Sequence, residues 1–382
     1  MKRTIFSPEH EDFRAVVRDF LQREVVPVFP SWLEEGLVPR DFFRSLAKLG
    51  VLGMNIGEEY GGSGDAGYLY SVVLHEETAR ALVHLGPLRC HLDVVMPYFL
   101  SLANAEQRDR WFPRMAQGDL FTAIAMTEPG TGSDLAGIRT SAVRDGDSFI
   151  LNGAKTFITG GVHAEAVIVV ARTSTDPDDR RAGLSLLIVE DGMPGFAKGR
   201  NLHKIGLVVQ DTAELSFTDV RVPAANLLGE EGKAFSYLGR NLAGERLGIA
   251  LGAISAAQAA LDVTVAYVKE RDVFGKRLSS FQNTKFELAS VATEIEAGQA
   301  VFDKAAVEHE HGELSPVDAA KVKLFCTELQ SRVMDRCLQL FGGYGYILEY
   351  PIARMYADAR VTRIYGGTSE VLKTIISKSL GL

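Results

Sequence analysis

Hydrophobic positions near the N-terminus recur with the period of a helix. After Ser7-Pro8, a helix-start signal, Phe13, Val16, Val17, Phe20 and Leu21 fall at i, i+3, i+4, i+7 and i+8. Similar segments cover roughly 40–50, 66–84, 89–103 and 106–117, with Gly118 as a stop. From about 119 the pattern changes to short β-type runs between turn signals: SFIL before Asn152-Gly153, then AEAVIVVA, GLSLLIVE and AELSFTDVRV. Asn-Gly between two such runs predicts a hairpin turn there. Beyond Gly229 the helical period returns in longer segments, about 232–270, 280–312, 315–341 and 352–380, the last interrupted near Gly366. Ser315-Pro316-Val317-Asp318 is a capping box with proline at the first helical position. The expected fold is α+β and mostly α. It has an N-terminal helical domain (1–118), a middle β-barrel-like domain (119–228) and a C-terminal antiparallel four-helix bundle (229–382).

Gly248 to Val268 approaches the length of a membrane span, with few polar side chains. Asp262 within it would be expensive in lipid, and the stretch is rich in Ala and Gly, so a buried bundle helix is expected instead. The net charge of −8 over 382 residues argues against nucleic acid or an anionic membrane as the main partner. Cys90, Cys326 and Cys337 have no metal-ligand spacing, which suits buried thiols in a reducing compartment. MKRTIFSPEHEDF carries no apolar run of a secretory signal, and SKSLGL does not end in a peroxisomal tripeptide.

Common nucleotide and hydrolase signatures fail. Gly130-Thr131-Gly132-Ser133-Asp134-Leu135 puts Leu135 where GxGxxG needs its third glycine. There is no P-loop, no GxSxG, and His75-Glu76-Glu77 lacks the second histidine of HExxH. Six other segments stand out. Ala125 to Gly137 is a turn-rich loop whose glycines allow close backbone approach and whose Thr127 and Ser133 offer hydroxyls. Gly153 to Gly161 places Phe157 and Thr159 where they could face a flat ring; a core phenylalanine would read the same. In Asn241 to Leu247, Glu245 has Leu242, Gly248 and Ile249 as helix neighbours. Such a stripe aims the carboxylate at a place of low dielectric, where desolvation raises its pKa toward that of a general base. The remaining three are Arg271 to Lys276 followed by Gln282, Gln339 to Tyr346, and Arg363 to Glu370, each of which could also be a helix end with its glycine stop.

In the order and spacing of these segments the chain resembles the acyl-CoA dehydrogenase family over its whole length, closest to the long-chain and isovaleryl branches. The resemblance implies that family's fold, FAD as cofactor, and oxidation of an acyl-CoA thioester to the trans-2-enoyl thioester, in fatty-acid β-oxidation or related catabolism. It implies that Ile124, Ala125, Met126, Thr127, Gly132 and Ser133 hold the flavin ring and ribityl chain, with Ser133 also touching the thioester. Phe157, Ile158 and Thr159 would lie against the isoalloxazine, Phe157 standing where many members carry tryptophan. Arg271, Phe274, Gln282, Gln339, Gly342 and Gly343 would bind the pyrophosphate and adenosine of FAD across a subunit interface, and Thr368, Ser369 and Glu370 would lie beside the adenosine–phosphate portion of the flavin cofactor. Ala243, Arg246, Gly366 and Gly367 would contact substrate, Arg246 at the CoA nucleotide.

The medium- and short-chain branches place their base just after the tyrosine of the sixth segment, where this chain has Gly366. Glu245 stands where the long-chain and isovaleryl branches carry theirs, and is the expected base. The resemblance further implies electron-transfer flavoprotein as acceptor and a homo-oligomer, a dimer of dimers. Bacterial cytoplasm is the expected location, with a processed mitochondrial chain reading the same. The acyl-pocket floor is expected from the helices at 66–117, including His91 to Tyr98. An acyl-carrier-protein-linked dehydrogenase and a non-catalytic flavin-binding protein of this fold are the alternatives.

Overall fold

The structure, a computed structural model, describes residues 2–64 and 66–382. Six helices come first: α1 (Pro8–Phe20), α2 (Phe29–Glu35), α3 (Arg40–Lys48), α4 (Tyr68–Arg80), α5 (Met96–Leu102) and α6 (Ala105–Ala116). Ser7 N–H donates to His10 Nδ1 at the start of α1, and Asn104 and Gln107 cap α6 reciprocally, so N–H groups left over at both starts find acceptors. Gly118 closes the region at φ +75°, a conformation that favours glycine.

Strands β1 (Thr122–Ala125), β2 (Ser141–Asp145), β3 (Ser148–Thr159), β4 (Ala166–Arg172), β5 (Leu184–Glu190), β6 (Phe196–Lys198), β7 (Thr212–Pro223) and β8 (Leu227–Leu228) form one mixed sheet. Its order is β6-β7-β3-β2-β4-β5-β8, with β1 added parallel to β4. The hairpin expected at Asn152-Gly153 lies elsewhere. The chain reverses at Gly146-Asp147, between Asp145 and its partner Ser148, with Gly146 at φ +62° as a two-residue turn demands of its first residue. Asn152-Gly153 sits inside β3 as a bulge against β7, and the Asn152 amide exchanges two hydrogen bonds with Asp219. A Cβ at Gly153 would meet Thr140 Oγ1 at 2.5 Å, and φ there is +148°. Gly153→Ala should therefore lower stability by about 1–3 kcal/mol, read by denaturant unfolding.

The C-terminal part holds α7 (Ala234–Glu270), a small ribbon of β9 (Asp272–Val273) and β10 (Lys276–Arg277), α8 (Gln282–Glu310), α9 (Pro316–Phe341), α10 (Pro351–Ala359) and α11 (Ser369–Ser379). α7 is long and apolar enough to cross a membrane, but it is a central packing element here. Leu251, Ile254 and Ala257 of α7 share one core with Phe302 of α8 and Leu329 and Val333 of α9. Such burial removes several hundred Å² of apolar surface from water and is the main support of the bundle. The fourth helix is broken into α10 and α11, and the break carries the turn at Tyr365-Gly366-Gly367.

Candidate active site

β1 delivers Ile124 and Ala125, both buried, into the loop that follows. Thr127 O accepts the N–H of Thr156 at 2.9 Å, which joins this loop to β3. Beneath it, Glu128 accepts the N–H groups of Arg139 and Thr140, each at 2.8 Å, and Lys155 Nζ at 2.9 Å. Lys155 Nζ also donates to Met126 O at 3.0 Å. Burial pushes Lys155 down to about 8, with Glu128 opposing the shift. Above this anchor Gly130, Gly132 and Ser133 stay open, and a Cβ at either glycine would meet nothing within 4 Å.

Phe157 follows a pairing irregularity between Lys155 and Ile158, and takes φ +59°, unusual for a bulky side chain. Its ring is 67% exposed, while Ile158 beside it is buried. A strained, exposed aromatic next to an open glycine loop fits a planar ligand such as an isoalloxazine.

The second cluster forms around the 365–367 turn. Gly366 and Gly367 have φ +60° and +93°, and the fully buried Lys323 of α9 donates to both Tyr365 O and Gly367 O. Glu245 of α7 approaches from the other side. Its Oε1 lies 3.4 Å from the position a Cβ would take at Gly366, and Ile249 Cδ1 lies 2.3 Å from the same point. Burial raises the Glu245 pKa, opposed by the positive charges of Arg89, Lys323 and Arg246. Ala243 is buried. Arg246 is only 6% exposed, with Nη2 3.9 Å from the Cβ position of Gly367 and Nε without a partner. That location is inside the protein, behind the turn.

From Ile249 a cavity of about 160 Å³ runs past Gly252 and Ala256 of α7, walled by α4, residues 82–89, α10 and Tyr365. The expected floor at His91 to Tyr98 lies largely outside this wall. His91 is fully buried, bonded to Thr122 Oγ1 at 2.7 Å and stacked on Phe121, whereas Tyr98 is near enough to feel the charge of Glu245. Arg89, Lys323 and Ile249 were not among the sequence candidates. Lys323 alone carried a signal: a lysine on the stripe of Ala319, Ala320, Val322 and Cys326.

A third group forms an open groove. Arg271, Phe274, Gln339, Gly342 and Gly343 line it together, with Arg271 5.3 Å from the Tyr344 ring, and Gln282 lies between the lining residues Phe281 and Asn283. Phe274 and Gly275 both have positive φ at the turn of the β9–β10 ribbon, and Phe274 is 96% exposed. Thr368, Ser369 and Glu370 lie apart from this groove at the start of α11. Thr368 Oγ1 accepts from Val371 N, and Ser369 Oγ donates to Glu328, which also takes Arg363.

A helix–sheet–helix protein with a desolvated carboxylate close to an internal cavity and an open, aromatic-edged loop has the features of a flavin-dependent oxidoreductase acting on an acyl chain. Comparison with known proteins makes this specific. Residues 7–119, 123–220 and 232–381 match the N-terminal, middle and C-terminal domains of acyl-CoA dehydrogenase. The long-chain specific acyl-CoA dehydrogenase, mitochondrial, of Sus scrofa is 47% identical, over 99% of this chain and 88% of that protein. The crystal structure of acyl-CoA dehydrogenase from Geobacillus kaustophilus aligns with a TM-score of 0.96 at 46% identity, covering 99% of each chain. A glutaryl-CoA dehydrogenase from Mycobacterium smegmatis in complex with FADH2 aligns with a TM-score of 0.89 at 30% identity, over 98% of this chain and 95% of that one. The chain belongs to the acyl-CoA dehydrogenase family. It is an oxidoreductase whose cofactor is FAD, in a family whose members are typically tetramers.

Proposed function

We propose that the protein removes hydrogen from the Cα–Cβ bond of an acyl-CoA thioester and that Glu245 is the base. The observation that carries this reading is the Glu245 carboxylate at the 365–367 turn, where Gly366 has no side chain to offer. An α-proton beside a thioester is weakly acidic, so the base must be strong and the enolate-like oxygen must be stabilised. Burial supplies the first requirement by raising Glu245. The Gly366 N–H, in a turn fixed by Lys323, is assigned to the second. When bound, FAD supplies the acceptor for the hydride that leaves Cβ.

The loop of Ile124, Ala125, Met126, Thr127, Gly132 and Ser133 would hold that cofactor against Phe157, Ile158 and Thr159. Arg271, Phe274, Gln282, Gln339, Gly342 and Gly343 present a groove for the nucleotide end of FAD held by a second copy, and Thr368, Ser369 and Glu370 would lie beside the adenosine–phosphate portion of the flavin. The exposure of Phe274 supports a homo-oligomeric arrangement, a dimer of dimers. Arg246, whose Nη2 lies beside Gly367, is a further substrate contact, and electron-transfer flavoprotein takes the electrons onward. The test is the visible spectrum during anaerobic addition of acyl-CoA esters. Bleaching of the bound flavin by some chain lengths is expected; a flavin that stays oxidised with every ester overturns the reading.

A further inference from the structure

The cavity beyond Glu245 has an apolar side on α7, but its other walls are polar for a hydrocarbon chain. Arg89, His75, His84, Arg354 and Asp358 all line it. Most of these side chains have partners. His75 Nε2 pairs with Asp93 at 2.8 Å, and Ser71 Oγ holds the other Asp93 oxygen at 2.6 Å. Arg354 donates to Leu82 O, and Asp358 accepts from Leu207 N. Arg89 and His84 differ: Arg89 Nη1 and His84 Nδ1 are buried without any hydrogen-bond partner. The Arg89 guanidinium stacks over the Tyr365 ring, 5.8 Å from its centre, so it is held at the mouth of the cavity next to the reacting turn.

A buried guanidinium N–H without an acceptor costs about 1–3 kcal/mol or more. A saturated alkyl chain drawn into this cavity would expel water and leave that cost in place. We propose that the acyl group carries an oxygen acceptor, a carboxylate or a hydroxyl or keto oxygen, and that Arg89 binds it. This rests on the reading of Glu245 as base and of the cavity as the acyl site. The position of the acceptor follows from α7. Arg89 Nη1 lies 3.4 Å from the place of a Cβ at Gly248, three residues past Glu245, which is roughly 4.5 Å along the helix axis. The oxygen therefore belongs a few bonds beyond Cβ, on a short or medium chain. His84, kept neutral because burial pushes its pKa down to about 3, offers a second polar contact on the same wall.

The experiment measures kcat/KM of the FAD-loaded enzyme for chain-matched plain, ω-carboxy- and ω-hydroxyacyl-CoA esters of four to ten carbons. An oxygenated ester should exceed its plain counterpart at least about tenfold at one length. In Arg89→Met that ratio should fall toward one, chiefly through the KM of the oxygenated ester; any change in the proton affinity of Glu245 is shared by both esters and cancels in the ratio. Whether the carboxy or the hydroxy series wins identifies the acceptor. Plain esters preferred at every length would overturn the proposal with the dehydrogenase reading intact, as would an oxygenated preference that Arg89→Met leaves unchanged. Failure of every thioester to reduce the flavin would overturn both.

Discussion

Glu245→Gln is expected to keep FAD and lose about 10²–10⁴-fold in turnover, the usual worth of a positioned general base. Three observables separate this from ordinary damage. The first is the spectrum: bound oxidised flavin should persist while acyl-CoA no longer bleaches it. The second is the pH profile. Proton abstraction needs the carboxylate, so kcat/KM should fall on the acid side with an apparent pKa above that of an ordinary glutamate, because burial raises Glu245. The residual activity of the glutamine variant should lack that limb. The third is stability, which should change in the opposite direction. A carboxyl whose pKa is higher folded than unfolded holds its proton longer in the native state. Stability then declines as pH rises from the unfolded pKa through the folded one, and stays lower above that window. Gln removes that burden, so Tm at pH 8 should be at least that of the parent, with no advantage below the ordinary carboxylate range. A variant that turns over normally would remove Glu245 from the mechanism, whereas one that melts earlier at pH 8 would mean that attraction to Arg89, Lys323 and Arg246 outweighs the cost of burying the carboxylate.

Much of this architecture was legible in the chain because its signals are local. The period of Phe13 to Leu21, the caps at Ser7 and Ser315 and the stop at Gly118 each act within a turn of helix, and each is present. The stripe around Glu245 likewise foretold burial of its carboxylate, since its helix neighbours decide which way it faces. Local signals misled where two competed. Gly146-Asp147 and Asn152-Gly153 are both turn pairs, one directly before and one directly after the strand-like run SFIL, and only pairing with β7 decides that the first turns and the second bulges. The π turns at Leu21–Val25 and Cys90–Val95 carry no sequence mark of their own. The site's supporting charges were hidden for another reason. Arg89, Glu245, Lys323 and Tyr365 come from four separate stretches, and their coupling exists only after the helices pack.

Lys323→Met gives the second large effect, and it acts on both the fold and the chemistry. Lys323 is fully buried with no carboxylate paired to it; its hydrogen bonds go to the carbonyls of Tyr365 and Gly367. Methionine keeps similar length but leaves two buried acceptors unpaired, each worth about 1–3 kcal/mol. Denaturant unfolding should therefore show a loss of roughly 2–6 kcal/mol by adding the two. The turn would also lose what fixes Gly366 opposite Glu245, so turnover should fall by about 10–100-fold even at temperatures where the variant is folded. Charge gives the discriminating readout. Lys323 is one of the cations that hold Glu245 below where burial alone would put it. Without it the carboxyl keeps its proton to higher pH, and the acid limb of kcat/KM should move up by about one unit or more. Leu329→Ala, a cavity in the same helix among the same core neighbours, provides the control. It should cost about 2–5 kcal/mol of stability. It removes no charge near Glu245, so its acid limb should stay in place. If both variants shift the limb alike, Lys323 supports the fold and nothing more; if only Lys323→Met does, the lysine sets the proton affinity of the base through the same contacts that hold the turn.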